Sequence, residues 1–218
     1  MYHLKKLIYV IVLVGYSVSY AGSYEDFFEA VGRDNATVVE QLLRRGFDPN
    51  SVNAIGEYAL LVALHQSSFT VAQVLIANPA TAVEVRNNKD ESPLMLAAIK
   101  GQLDICRQLI ARDADVNKPG WTPLHYASSG GMTNVVQLLL ENYAYIDAES
   151  PNGSTPLMMA AMYGSADTVK VLLLAGADAN LKNSLGLTAL DFAKSANRLD
   201  AAALIAKAQR GKDSDGSW

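Results

Sequence analysis

The sequence is poor in the residues that usually carry chemistry. Its 218 residues include one cysteine, three histidines and only 8% aromatics, with a net charge of −4. Cys106 alone excludes an internal disulfide and any zinc site built on paired cysteines. His65 and His125 are the histidines outside the N-terminal segment. Neither has a partner spaced to make it a metal ligand or a general base. No glycine-rich phosphate loop, zinc-ligand pattern or nucleophile motif occurs, so no cofactor is expected. Basic residues are outnumbered and form no cluster, which excludes nucleic acid as an expected partner, because phosphate binding needs grouped Lys and Arg. Long hydrophobic runs are also missing, with one exception at the N-terminus.

That exception reads as an export signal over residues 1–21. Lys5 and Lys6 precede the apolar run Leu7 to Val14, and Ser19-Tyr20-Ala21 offers small residues where a signal peptidase inspects the chain. The run is well short of the roughly 20 residues of a membrane-spanning helix, so cleavage after Ala21 is expected, with no stable membrane anchor left. Removal of Lys5 and Lys6 takes the net charge from −4 to −6. The compact signal suggests a bacterial host and a periplasmic location, with secretion as the alternative. Two triplets of the glycosylation type, Asn35-Ala36-Thr37 and Asn152-Gly153-Ser154, would matter only in a eukaryote.

What the sequence does contain is a repeat. Gly120-Trp121-Thr122-Pro123-Leu124-His125-Tyr126-Ala127 is a helix start, with Thr122 as the capping hydroxyl and Pro123 at the first helical position. Gly153-Ser154-Thr155-Pro156-Leu157 and Gly186-Leu187-Thr188-Ala189-Leu190 restate it. Asp90-Glu91-Ser92-Pro93-Leu94 and Gly56-Glu57-Tyr58-Ala59-Leu60 are weaker versions. A period near 33 residues means an array of small units that bury a continuous seam between neighbours.

Thr-Pro-Leu-His at 122–125, Gly-Ala-Asp-Ala-Asn at 176–180 and the period together closely resemble the ankyrin repeat. The resemblance implies an all-α solenoid of stacked antiparallel helix pairs joined by short β-hairpin loops. It also implies protein recognition on a concave face of hairpin tips and first helices. About six repeats are expected within 22–208: 24–50, 51–85, 86–117, 118–147, 148–180 and 181–208. Residues 209–218 read as a mobile polar tail, because they lack apolar periodicity. The chain departs from the family pattern in places. The Gly closing the second helix survives as Gly46 and Gly176 but is replaced by Pro79, Asp113 and Tyr143, and only His125 keeps the motif histidine. The loop entering the fourth repeat, Lys118-Pro119, is three residues short, so the row of fingers should have a notch there.

The repeat register nominates a recognition surface. Finger tips contribute Ile55, Glu57, Lys89, Glu91, Trp121, Asn152, Ser154, Leu185 and Leu187. First-helix ends contribute His65, Gln66, Ile99, Lys100, Met162 and Tyr163. Ile99, Trp121, Met162 and Tyr163 fall in adjacent repeats and should form an apolar centre with Lys89, Glu91 and Lys100 as rim. The expected function is therefore non-catalytic binding of a protein partner, by a monomer. The competing reading is a redox or enzymatic role through Cys106. That reading is weakened because Leu103, Ile105, Cys106, Leu109 and Ile110 place the thiol on the apolar side of a helix.

Overall fold

A computed structural model of the chain describes residues 22–215; the expected export signal and residues 216–218 lie outside them. Two compact bodies are described separately below, with the boundary between Ala82 and Val83.

The N-terminal body holds α1 (22–32), α2 (Ala36–Arg44), α3 (Ala59–Gln66) and α4 (Phe69–Ala77). Asn35 starts α2 by accepting from the Val38 N–H at 3.3 Å. The N-cap Ser68 makes no side-chain bond at the start of α4. Asp34, 36 residues back, does the capping instead. Its carboxylate accepts from the Val71 N–H at 2.8 Å and from the Thr70 N–H and hydroxyl at 3.3 and 3.0 Å. The residue that replaces the usual turn glycine thus satisfies the orphan donors of another helix. The core is Phe27, Val31, Val39, Leu60, Leu61, Leu64, Val71 and Leu75. Phe27 packs on Phe47 at 4.4 Å between ring centres.

The C-terminal body repeats one design four times. Its first helices are α5 (Pro93–Ile99), α7 (Pro123–Gly130), α9 (Pro156–Met162) and α11 (Ala189–Ser195). Its second helices are α6 (Leu103–Ile110), α8 (Thr133–Glu141), α10 (Ala166–Leu174) and α12 (Leu199–Asp215). First helices pack in one row and second helices in another, each on its neighbour. The seam is made of Leu94, Leu109, Leu124, Val136, Leu139, Leu157 and Leu172, all fully buried. Backbones approach closely where glycine stands: a Cβ on Gly164 would lie 2.3 Å from the Ser128 carbonyl oxygen, and one on Gly130 2.5 Å from that of Ile99.

All four first helices of this body open with a capping box, built with three different chemistries. The hydroxyl of Ser92, Thr122, Thr155 or Thr188 accepts from the backbone N–H three residues on. The return bond ends on the Met95 sulfur, the His125 ring, the Met158 sulfur or the Asp191 carboxylate. Hydrogen bonds from the Thr188 hydroxyl and N–H hold the Asp191 carboxyl below the usual carboxylate range.

The fingers are turns wound around one side chain. Asn53, Asn87 and Asn183 each accept, through the side-chain oxygen, from the N–H groups two and four residues on. Ser150 plays the part in a fourth finger by accepting from the Ser154 N–H at 3.0 Å. The β-hairpin pairing implied by the family is reduced, among the described residues, to one isolated bridge between Val52 and Tyr58. One backbone bond closes the base of each finger, from the N–H of Asn53, Asn87, Ser150 or Asn183 to the carbonyl of Glu57, Glu91, Ser154 or Leu187, and the side-chain oxygens take the N–H groups nearer the tip.

The fourth repeat has no such turn. The finger asparagine falls in the three-residue gap; Asn117 is the counterpart of Asn50 and, like it, ties the next loop, donating to the Tyr143 carbonyl and accepting from the Tyr145 N–H, both at 2.8 Å. Lys118 fills the gap. Its ammonium donates to Asp90 and to the Trp121 carbonyl, and its side chain is only 8% exposed. Tyr143 holds φ at 64° and is 85% exposed. This is the left-handed conformation that Gly46 and Gly176 adopt at matching turns.

The last helix differs from the sequence expectation. It continues through Asp215, so residues 209–215, read as polar tail, are helical. Ala201 to Arg210 has five alanines, the best helix formers, and the helix carries on from that run. Gln209 also donates to the Ala179 carbonyl at 3.0 Å, tying the helix to the preceding loop.

Candidate interaction surface

The missing finger decides where Trp121 goes. With the loop shortened and Lys118 holding the Trp121 carbonyl, the indole lies half-buried at the start of α7. It meets His125 edge-on at 5.3 Å between ring centres. There it borders a cavity of about 390 Å³ along the first-helix row of the C-terminal body. Ile99, at the end of α5, and Tyr163, just past α9, close its sides; they are 36% and 61% exposed. Tyr126, Ser129 and Met159 form the rest of the wall, and Glu91 supplies the charge.

Of the four residues expected to cluster, Ile99, Trp121 and Tyr163 do so. Met162 does not line the cavity, and Met159 stands in its place. The reason is helical phase: residues four apart share a face, so Met159 goes with Tyr163 while Met162 is turned aside. The expected rim is also revised. Glu91 faces the cavity, but Lys89 and Lys100 do not. Lys89 lies on the finger, where its backbone N–H is held by Asn87 at 2.9 Å. Leu185 and Leu187 are exposed on the last finger, at 76% and 40%. In the N-terminal body Ile55 is exposed at the finger tip, and His65 approaches Glu57 to 3.9 Å with Gln66 exposed beside it.

The repeat register does not nominate Tyr126, Ser129 or Met159, and it marks Lys118 only as part of the shortened loop. Tyr126 was within reach, as its spacing to Ser129 is that of one helix face. Its hydroxyl donates to the Glu91 carboxylate at 2.9 Å, and burial, then the Glu91 carboxylate, push the phenol pKa up. The other Glu91 oxygen accepts from the Asn87 amide at 2.6 Å. The carboxylate is thereby fixed at the mouth of the cavity.

The two residues with the best claim to chemistry are inert. Cys106 is fully buried in α6, and burial pushes its thiol up to about 12, so no reactive thiolate forms near neutral pH. His125 is fully buried. Its Nδ1 accepts from the Thr122 N–H at 3.2 Å, which leaves the proton on Nε2 to be donated to the Ser154 carbonyl at 2.9 Å. Burial pushes its pKa down to about 4. The two glycosylation-type triplets serve structure: Asn35 is a helix cap, and the Asn152 side-chain oxygen accepts from Ser150 and from the Ser154 N–H. Among the described residues no group of three His, Cys, Asp or Glu side chains could hold a metal, and no helix is long and apolar enough to cross a membrane.

Helix pairs at a 33-residue period, capped by Thr-Pro-Leu boxes and joined by asparagine-wound fingers, define a repeat solenoid. The chain belongs to the ankyrin repeat family: the family model for ankyrin repeats (3 copies) matches residues 27–119, 79–150, 116–183 and 146–215. Over 127 residues, 56% of this chain, it is 38% identical to the neurogenic locus notch homolog protein 1 of Xenopus tropicalis, covering 5% of that protein. Over 170 residues, 75% of this chain, it is 31% identical to the B-cell lymphoma 3 protein homolog of Mus musculus, covering 38% of it. The chain thus spans well under half the length of these relatives. Ankyrin repeats are protein-interaction modules.

Proposed function

We propose that this chain is a non-catalytic binding module that is exported and then holds a protein partner against the first-helix face around Trp121. The observation that carries the reading is the notch. Three residues of finger are missing, Lys118 fills the gap, and the indole that follows lies half-buried beside Ile99, Met159 and Tyr163. An aromatic anchor in a partly desolvated apolar centre with a charged edge is how binding hot spots are built. The burial of Cys106 gives no support to a redox role.

Export rests on the Lys5-Lys6, Leu7 to Val14 and Ser19 to Ala21 series. A bacterial periplasm, or the medium beyond it, suits so compact a signal. Protein recovered from its native host is expected to begin at Gly22 by mass spectrometry; an intact Met1 on cytosolic protein would remove export from the reading. The binding role is tested by paired measurements on Trp121→Ala. Partner affinity is expected to fall by about 2 kcal/mol or more, the size of a hot spot. The denaturation midpoint should move less, because the indole keeps one face in water. A collapse of stability with unchanged binding by the folded fraction would make Trp121 a packing residue.

A further inference from the structure

Each complete finger holds the residue before its helix cap by two bonds. In the second, third, fifth and sixth repeats that residue is Glu57, Glu91, Ser154 or Leu187. Its backbone N–H donates to a side-chain oxygen of the finger, at 2.9 to 3.0 Å. Its carbonyl accepts from the N–H of the same finger residue, Asn53, Asn87, Ser150 or Asn183. Trp121 holds this place in the fourth repeat, where the finger residue is missing. Only half of the pair is made good. The Trp121 carbonyl accepts from the Lys118 ammonium at 3.3 Å. That ammonium can donate but has nothing to accept with. Among the described residues, nothing accepts from the Trp121 N–H.

The notch is bounded on both sides. Lys118 also donates to Asp90 of the third finger, and that bond holds the Asp90 carboxyl below its usual range. On the other side stands Pro151 of the fifth finger: a Cβ on Gly120 would lie 3.6 Å from its Cγ. Trp121 itself borders the cavity of about 390 Å³ beside Ile99, Met159 and Tyr163. A backbone donor without an acceptor and an apolar socket thus meet on one residue. Backbone N–H groups are strong donors, and a hydrogen bond gained where water is partly excluded is stronger than in bulk water. Complementarity of partial charge selects the occupant. It must bring an oxygen, because a hydrocarbon alone would cover the donor and leave it unpaired. The chain's own fingers show the form: the oxygen comes from Asn or Ser on a tight turn. Ile55 and Leu185, two residues past Asn53 and Asn183, stand exposed on such turns.

Resting on the binding role set out above, we propose that the protein partner supplies the missing finger. A turn of the partner enters the notch, and the side-chain oxygen of an Asn or Ser on it accepts from the Trp121 N–H. An aliphatic residue of the same turn lies on Ile99, Met159 and Tyr163. The main-chain bond fixes the turn in place, and the apolar socket selects the side chain beside it.

The experiment uses the full chain labelled with nitrogen-15 and the blocked peptide Asn-Ser-Leu-Gly-Leu, a copy of residues 183–187. Its control carries leucine in place of the asparagine, which keeps the shape and removes the oxygen. In the free protein the Trp121 N–H is expected to exchange with solvent on the order of tenfold faster than those of Glu57 and Leu187, which are held. The asparagine peptide should slow that exchange and shift the Trp121 amide resonance at roughly fivefold lower concentration than the control, the size of one net hydrogen bond. A variant with Lys118-Pro119 replaced by Leu-Lys-Asn-Ser-Leu, the five residues before Gly186, restores the finger. It should protect the Trp121 N–H by itself and leave neither peptide an effect there. Exchange at Trp121 as slow as at Leu187 in the free protein, or equal action of the two peptides, overturns the proposal. If the partner binds the restored-finger variant as tightly as the parent but loses affinity on Trp121→Ala, this inference alone is lost. If partner affinity is indifferent to Trp121, the binding role at this face is lost with it.

Discussion

Replacing Leu139 by alanine is expected to destabilise the protein by about 2–5 kcal/mol, the range for a fully buried leucine that leaves a cavity. Leu139 has no exposed surface, and neither does its neighbour Val136. It sits in α8, which packs on α7 within its own repeat and on α6 and α10 to either side. In a helix packed on three others, a gap cannot be closed by a shift of one of them, because closing it on one side opens it on the other. In a solenoid the loss also weakens two interfaces at once. Urea denaturation followed by helical circular dichroism measures it. A change under about 1 kcal/mol, below the range for such truncations, would mean that the second helices are phased differently.

The second large effect is a loss of stability in mild acid that belongs to one side chain. In the folded protein His125 is neutral, and burial pushes its pKa down to about 4 from 6.5. A proton on Nδ1 would point at the Thr122 N–H that this nitrogen accepts from. The unfolded chain takes up that proton near pH 6.5 while the folded chain resists it. Stability is therefore complete above pH 6.5 and declines as pH falls toward 4. The full decline is about 3 kcal/mol at 1.36 kcal/mol per pKa unit. The depressed carboxyl groups of Asp90 and Asp191 lose their contributions only at lower pH, as protons reach carboxylates. The control lies in the protein itself: Met95 and Met158 occupy the same capping position through their sulfur atoms. His125→Met should carry its own fixed cost but flatten the dependence of melting temperature on pH between 6.5 and 4. A slope unchanged by the substitution would show that some other group takes up the proton.

The period, the helix starts and the apolar faces were all legible in the sequence, because each follows from local rules. Thr or Ser before Pro-Leu predicts the cap, and the structure has it at Ser92, Thr122 and Thr155. The shortened loop could be counted, and the notch followed from the count. Less legible were features that depend on atoms far apart in the chain. Lys118 reads as an ordinary surface lysine until Asp90, 28 residues earlier, is brought beside it. The choice between Met159 and Met162 turns on one step of helical phase, which a pattern of mixed apolar residues does not fix. The fingers are too short for strands: a single backbone bond closes each base, and side-chain oxygens take the N–H groups of the tip.

Tyr143 carries a further meaning. It spends a bulky aromatic residue on a left-handed turn that glycine would occupy with less strain, and Asp34, Ser67, Asp90, Asp113 and Asn197 also adopt positive φ. Each such substitution gives up a fraction of what glycine would provide, on the order of 1 kcal/mol per residue. In an array whose stability is a sum over repeats and their interfaces, no single repeat has to meet a threshold alone. Selection then acts on the total, and individual turns are free to drift while well-packed neighbours carry them. An array built this way tolerates changes to its turns one at a time, and it can carry a notch at its fourth finger without falling apart.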